Sequence, residues 1–198
     1  PRALIIGEER EVEVSVATRA DDLRWFASAG SLTPVGERDG RRVVRYRPPV
    51  ERYPQRVVIA ALSDDGTLDW GVVSLLGRPT VETETTPGAD VTVEVAGERF
   101  GPVRADARGR ATLTVTVPPG ITTASVHASD GRSAPTTKPL PLGTPRRPTL
   151  AAICNSTTLA VVALDADGRP TESKPTLSAS GGELGPTKRL ENGLFRAT

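Results

Sequence analysis

The chain has 198 residues, with 25 Lys and Arg against 24 Asp and Glu, and its formal net charge is +1. A hydrophobic content of 37% at this charge indicates a folded chain rather than a disordered one. No run approaches the roughly 18 apolar residues of a membrane-spanning helix. The single Cys excludes an internal disulfide framework and a four-Cys zinc site.

Valine and leucine alternate with polar residues along the whole chain, which predicts short β-strands. The alternating positions are Val12, Val14 and Val16, then Val91, Val93 and Val95, then Leu113, Val115 and Val117. In the segment 159–164 both alternating sets are apolar, which predicts a strand that is apolar on both faces. The continuous apolar run 57–61 predicts a strand that is buried on both faces. The best helical candidate, Asp21–Ala27, is too short to compete. The pattern predicts an all-β chain of antiparallel sandwiches.

Gly follows Asp or Asn between several of these runs, which predicts tight hairpin turns. The pairs are Asp39-Gly40, Asp65-Gly66, Asp130-Gly131, Asp167-Gly168 and Asn192-Gly193. Such pairs suit type I′ turns because both central residues of that turn have positive φ.

Proline marks the predicted boundaries between domains. The stretch 135–148 contains five prolines, so it cannot form an interior strand and is expected to be extended and semi-rigid. A softer break lies near Gly77-Arg78-Pro79. We therefore predict three sandwich domains at 1–78, 79–143 and 144–198, with the last one truncated at its C-terminal end. The absence of Met predicts a processed product or a piece of a longer protein.

The first and third segments share a motif order, which indicates an internal repeat. Residues 28–34 (SAGSLTP) match residues 180–186 (SGGELGP), and each motif is followed by the Asp-Gly or Asn-Gly turn and an apolar strand. The third segment, with LAVVALDADGRP at 159–170 and NGLFRAT at 192–198, resembles bacterial immunoglobulin-like domains of the invasin and intimin type. The resemblance implies a secreted or surface-exposed sandwich array that acts as a spacer or adhesive stalk. It implies no catalytic residues.

Two residues could suggest nucleophilic chemistry, and both are better explained structurally. The lone His127 shares a strand face with Ser125 and Ser129, but same-face neighbours on a strand stand roughly 6.5–7 Å apart, beyond hydrogen-bond reach. Cys154 follows Ala and Ile without adjacent cations, which predicts a buried and inert thiol. Asn155 begins a formal glycosylation sequon. We expect no enzymatic activity.

Calcium is the best metal candidate, but the spacing does not favour it. Carboxylates crowd the glycine turns at 64–69 and 165–168. A calcium loop needs six to eight oxygens, and the further acidic positions are missing. The sequence therefore predicts no metal site and no cofactor.

An Arg-rich stretch with two interleaved tyrosines is the strongest candidate for partner binding. It spans residues 38–56, and the candidate residues are Arg42, Arg45, Tyr46, Arg47 and Tyr53. Alternation places Arg45 and Arg47 on one strand face and Tyr46 on the other. Such a face could bind an acidic glycan or a protein, although a solvated sandwich edge has the same pattern. Trp25 and Trp70 are interpreted as core residues rather than as sugar platforms.

Three functional hypotheses follow from the sequence. The leading one is a non-enzymatic spacer or adhesion segment of a bacterial exported or surface protein, located at the cell surface, outer membrane or periplasm. The second is a glycan- or protein-binding module that acts through the Arg/Tyr face, and the third is a non-catalytic appendage of an exported hydrolase. Acidic and basic residues are evenly spread, so we expect no nucleic-acid partner. Because no long apolar run is present, we expect no membrane insertion within this segment.

Overall fold

A computed structural model describes residues 2–5, 11–17, 22–50, 53–178 and 184–197. The first four residues of the motif at 180–186 and residue Arg52 of the Arg-rich stretch lie outside these ranges. Contacts divide the chain into two compact units, and each is described by itself. The first unit comprises residues 1–52, 56–75 and 147–198, and the second comprises residues 53–55 and 76–146.

The first unit contains eleven described strands in three sheets. Their bounds are β1 Arg2–Ile5, β2 Val12–Ala17, β3 Leu23–Ala27, β4 Ser31–Arg38, β5 Arg41–Arg47, β6 Gln55–Ser63, β7 Leu68–Leu76, β14 Thr149–Cys154, β15 Leu159–Leu164, β16 Lys188–Glu191 and β17 Leu194–Ala197. The front sheet has the order β2-β5-β4, the middle sheet β1-β7-β6-β3 and the back sheet β14-β15-β17-β16. The pairs of strands that have a defined register are antiparallel.

Strand β6 is the centre of the first unit because both of its faces are buried. Val57 and Ile59 pack in the core between the front and middle sheets, together with Tyr46. Val58 and the residues at alternate positions after it pack in the core between the middle and back sheets. The predicted run 57–61 is therefore confirmed as a strand that is covered on two sides, which explains its lack of polar positions.

Strand β15 is also apolar on both faces, as its sequence indicates. Val162 and Leu164 face the middle sheet, whereas Val161 and Ala163 pack with Phe195 on the far side of the back sheet. Leu177 packs against this far cluster. The back sheet therefore buries apolar side chains on both of its surfaces.

The strand order of the first unit is that of an immunoglobulin sandwich. With β2 to β7 taken as strands B to G, the front sheet is B-E-D and the middle sheet is G-F-C with β1 at its edge, which matches the two-sheet division of that fold. The back sheet has the order first-second-fourth-third along the chain, like an A-B-E-D sheet. The all-β, immunoglobulin-like fold class predicted from the sequence is confirmed. The described residues form no helix.

The second unit is a smaller sandwich. Its strands are β8 Thr80–Glu84, β9 Asp90–Val95, β10 Glu98–Arg104, β11 Arg110–Thr114, β12 Thr123–Ser129 and β13 Thr136–Pro141. One sheet has the order β10-β9-β12-β13 and the other pairs β8 with β11. This is the division of strands B and E from strands C′, C, F and G in an immunoglobulin domain. Its core is built largely from the predicted alternating valines of β9 and from the residues around β11.

Proline confines β13 to the edge of its sheet. Pro139 lies opposite Ser125 and Pro141 lies opposite Thr123, and β13 has a partner strand on one side only. A residue without an N–H cannot join two ladders, so the prediction that this stretch avoids the sheet interior is confirmed. The first half of the proline-rich stretch is thus a paired strand, whereas the sequence indicated a connector.

The predicted type I′ geometry holds at Asp39-Gly40 alone among the predicted pairs. Asp39 has φ 52° and Gly40 has φ 69°, between β4 and β5. In the other predicted pairs only the Gly has positive φ. A second pair with both residues at positive φ is Ala96-Gly97, between β9 and β10, which the sequence did not single out.

The division into three independently folding domains, at 1–78, 79–143 and 144–198, remains a prediction. In the structure, the segments 1–52, 56–75 and 147–198 group into one compact unit because the back sheet packs on the middle sheet. Side chains reinforce this contact: Asn155 Nδ2 donates to Ser63 O over 3.0 Å, and Arg196 Nη2 donates to Gly66 O over 2.7 Å.

Candidate functional site

The front sheet presents a charged surface that we call the arginine face. It consists of Arg38 on β4, Arg41, Arg45 and Arg47 on β5, and Glu11 and Glu13 at the start of β2. Alternation along β5 places Arg45 and Arg47 opposite to the buried Val44 and Tyr46. The predicted division of this strand into a cationic and an apolar face is confirmed.

Cross-strand carboxylates occupy most of this face. Arg47 Nη2 lies 2.8 Å from Glu11 Oε1, and Arg45 Nε lies 3.4 Å from Glu11 Oε2. Arg38 Nη1 lies 2.9 Å from Glu13 Oε2. The fourth guanidinium, on Arg41, donates from Nε to Ser15 Oγ over 3.0 Å. Among the described residues, this surface therefore carries four guanidinium groups and two carboxylates, an excess of positive charge.

Tyr46 does not belong to this surface. Its side chain is fully buried and packs in the core between the front and middle sheets. The phenol donates a hydrogen bond to Ala29 O over 3.2 Å. Burial raises the pKa of Tyr46 to about 12, because the apolar surroundings disfavour the charged phenolate. Tyr46 is therefore a core residue with a satisfied polar end, and in this structure no partner can reach its ring.

Two further residues of the predicted patch are not part of the arginine face. Arg42 is directly opposite Glu37 on the inward-facing side of the front sheet, with Nη1 3.6 Å from Glu37 Oε2. Tyr53 belongs to the second unit and is half-buried there. The structure thus brings together Arg45 and Arg47 of the predicted set, and adds Glu11 and Glu13.

His127 takes part in sheet contacts. Its Nδ1 lies 3.0 Å from Thr137 Oγ1 on β13, and its Nε2 lies 3.7 Å from Glu94 Oε2 on β9. The same Glu94 oxygen accepts from Arg99 Nε over 3.1 Å. These neighbours lie on adjacent strands, and no hydrogen bond joins the imidazole to Ser125 or Ser129 among the described residues.

The prediction of a buried Cys154 is wrong. Alternation on β14 places Ala151 and Ile153 inward and leaves Leu150, Ala152 and Cys154 exposed. The neighbouring Asn155 organises the β14–β15 turn, because its Oδ1 accepts from the backbone of Thr158 over 2.8 Å. The amide nitrogen of this formal sequon donates to the β6–β7 turn.

The carboxylates at the glycine turns bind backbone N–H groups. Asp106 Oδ1 accepts from the N–H groups of Arg108 and Arg110, each over 2.8 Å, and Asp165 Oδ1 accepts in the same way from Asp167 and Arg169. Hydrogen bonds from backbone N–H groups, led by that of Arg110, lower the pKa of Asp106. Side-chain hydrogen bonding by Ser63, followed by the Thr67 N–H, lowers the pKa of Asp65. The described ranges contain no group of three or more His, Cys, Asp or Glu residues placed to hold a metal ion.

An apolar cleft, which the sequence did not indicate, opens beside β2. It has a lobe of about 150 Å³ that Trp25, Trp70 and Ile59 help to line, and a longer lobe of about 310 Å³ along Val12, Val14 and Val73. Trp25 packs against the core on the front side of the middle sheet, and Trp70 packs against the cores on its back side. The interpretation of both tryptophans as core residues agrees with these contacts. Asp69 and Ser15 are polar residues at the smaller lobe.

Comparisons with known proteins return neither a matching family model nor a matching curated protein. Among solved structures, the chain is similar to the Yersinia pseudotuberculosis adhesin InvE, with 8% identity, a TM-score of 0.34, and coverage of 98% of this chain and 71% of that one. A complex of Dpr2 Ig1-Ig2 with DIP-Theta Ig1-Ig3 has a chain that matches at 12% identity and a TM-score of 0.27, with coverage of 99% and 84%. A Bacteroides ovatus SGBP-B in complex with a mixed-linkage heptasaccharide matches at 12% identity and a TM-score of 0.23, with coverage of 98% and 55%. At these TM-scores the likeness carries no argument, and the fold assignment depends on the strand order.

The described residues also contain no helix that is long and apolar enough to cross a membrane.

Proposed function

We propose that the chain is a non-enzymatic spacer or adhesion segment, built from immunoglobulin-like sandwiches, of a bacterial exported or surface protein of the invasin and intimin type. The observation that carries the proposal is the strand order: two units in one chain divide their strands between sheets as immunoglobulin domains do. Such sandwiches are common in cell-surface proteins. The motif at 159–170 supports the finer assignment to bacterial repeats.

Surface accessibility tests this proposal. Intact cells of the source organism should bind an antibody raised against the purified chain, and external protease should remove the epitope before the cells are permeabilised. A cytoplasmic marker protein should remain intact in the same samples. A chain that is found with the cytoplasmic marker, and is protected until lysis, would rule out the proposed location.

The arginine face favours a second candidate function, the binding of acidic glycans. The described part of this exposed sheet surface carries four guanidinium groups and two carboxylates, and this excess of positive charge favours the binding of an anionic chain. Glu11 competes with such a ligand because it binds both Arg45 and Arg47.

A matched pair of variants tests this candidate on a column of sulfated or carboxylated polysaccharide. Arg45→Glu with Arg47→Glu should lose retention, whereas Glu11→Gln should elute at higher salt than the wild type because it releases both guanidinium groups. If the wild type and Glu11→Gln both pass through unretained, the arginine face is a structural ion-pair surface and this candidate fails.

A further inference from the structure

The described edge strands differ in how they are protected against pairing with another chain. An exposed edge offers unpaired N–H and C=O groups, and proteins blunt such edges with charge, proline or bulges. β4 carries Pro34 with a register shift beside it, and β13 carries Lys138 with two prolines. Charged residues also lie on β1, β2, β3, β8, β10, β11 and β16. β14, with the sequence TLAAIC, has neither charge nor proline.

The backbone of β14 is arranged to accept another strand. Asn155 N donates to Thr158 O over 3.0 Å, which makes these residues the hydrogen-bonded pair that closes the β14–β15 hairpin. Hydrogen bonds alternate along an antiparallel ladder, so Ile153, Ala151 and Thr149 bond to β15. Leu150, Ala152 and Cys154 therefore turn their N–H and C=O groups toward the edge at which β14 pairs with no described strand, and β3 of the middle sheet also approaches β14.

The side chains beside this edge are apolar and exposed. Leu150 has 59% of its surface exposed, and Ala152 and Cys154 beside it are also exposed. They lie on the same side of the back sheet as the Val161, Ala163 and Phe195 cluster, which is buried. Among the described residues, the apolar surface of the back sheet thus continues past its buried part and is exposed at β14.

We propose that β14 pairs with β14 of a second copy of this chain, in an antiparallel and two-fold symmetric arrangement. Self-pairing of a charged edge places like charges near one another, which is destabilising, whereas β14 has no charge to oppose. A two-fold axis at Ala151 sets Leu150 opposite Ala152 of the second copy, so a large and a small side chain share the outer face. Leu150 of one copy and Ala152 of the other then form a hydrogen-bonded pair, in which each N–H donates to the C=O of the opposite residue.

The position of Arg24 selects this register. Its Nη1 lies 3.4 Å from Cys154 O and donates to it, so this carbonyl of the open edge already has a donor. A two-fold axis at Ala152 would require Cys154 to pair as well. The axis at Ala151 uses Leu150 and Ala152 alone and leaves the Arg24 contact intact.

Cross-linking of the full chain tests the register. In a Cys154→Ser background, chains with Leu150→Cys are mixed with tagged chains that carry Ala152→Cys and are oxidised gently. Opposite residues of a hydrogen-bonded pair are roughly 5.5 Å apart between Cα atoms, which suits a disulfide, whereas two copies of the same residue are diagonal neighbours at roughly 7–8 Å. We expect disulfide-linked dimers in the mixture and little disulfide-linked dimer in a solution of either variant alone. Equal cross-linking in the separate solutions would overturn the register.

Sedimentation equilibrium tests the association itself. The wild type should dimerise reversibly with rising concentration. Ala152→Pro should weaken the dimer roughly thirtyfold, because each copy loses one edge N–H, while the β14–β15 ladder keeps all its bonds. Ala152→Ser keeps the N–H and should dimerise like the wild type. A wild type that stays monomeric at all concentrations, or an Ala152→Pro variant that associates as tightly, refutes the proposal; if Ala152→Pro fails to fold, the cross-linking result decides.

Discussion

The buried phenol of Tyr46 should make the free energy of unfolding fall in strong alkali, and the substitution Tyr46→Phe should remove this fall. The folded state raises the pKa of Tyr46 from 10.0 to about 12, so the folded protein keeps a proton that the unfolded chain releases. The contribution of the buried neutral phenol to the free energy of unfolding is complete below pH 10 and is lost as the pH rises through 12. The difference of about two pKa units corresponds to about 3 kcal/mol in the free energy of unfolding.

Urea unfolding of the wild type and of Tyr46→Phe at a series of pH values measures this effect. Near neutral pH, Tyr46→Phe should cost only about 1 kcal/mol, for the hydrogen bond to Ala29 O. Between pH 10 and pH 12 the free energy of unfolding of the wild type should fall by about 3 kcal/mol more than that of the variant. In a Tyr53→Phe background Tyr46 is the remaining tyrosine, so tyrosinate absorbance then reports its ionisation directly. Parallel losses in the wild type and Tyr46→Phe would show that the phenol is not desolvated as described.

Three further substitutions test the packing and the turns. Leu62→Ala, on the face of β6 that packs toward the back sheet, should lower the free energy of unfolding by about 2–5 kcal/mol. The control Val50→Ala, at a side chain with 91% exposure, should change it by less than about 0.5 kcal/mol. Equal effects of the two substitutions in urea unfolding would contradict the shared core. Gly30→Ala should be destabilising by about 1 kcal/mol or more, since Gly30 has φ 83° and a Cβ there would overlap the β5 backbone. Gly71→Ala is the matched control in thermal melts, because a Cβ on Gly71 would meet no neighbouring atom within 4 Å. Asp106→Ala should lower the melting temperature near neutral pH. The lowered pKa of Asp106 gives stability that is present above its unfolded pKa and lost in acid, so the difference in melting temperature between the variant and the wild type should disappear as the pH falls. A difference that stays constant with pH would contradict this.

The sequence predicted the strands well because burial on one face or on two faces leaves a direct mark on residue order. The alternation around Val12 and Val91 and the continuous run of β6 each correspond to the side that the structure covers. The order of residues cannot show which surface covers the second face of a strand. For that reason the sequence indicated a buried strand at 57–61 without showing that residues 149–164 provide half of its cover.

The candidate site was predicted less well, because its electrostatics depend on strand pairing. Arg45 and Arg47 were visible in the sequence, but residue order alone does not show which carboxylates lie against them. The actual partner of both is Glu11, which is more than thirty residues away along the chain and adjacent across the sheet. The alternation of Glu11 and Glu13 with valines was the available signal. Tyr46 followed the same alternation correctly, and its burial removes it from the predicted surface.

The burial of β6 on both faces also determines how the first unit can come apart. Amide hydrogens of Val58 and Ala60 can exchange with solvent only when strands that come from two distant parts of the chain separate from β6. Their exchange rates should therefore report global unfolding, whereas amides at the rim of the back sheet can open by fraying. The segment that follows residue 147 would thus act as a clamp on the first strands of the chain, so that both parts melt in one cooperative step.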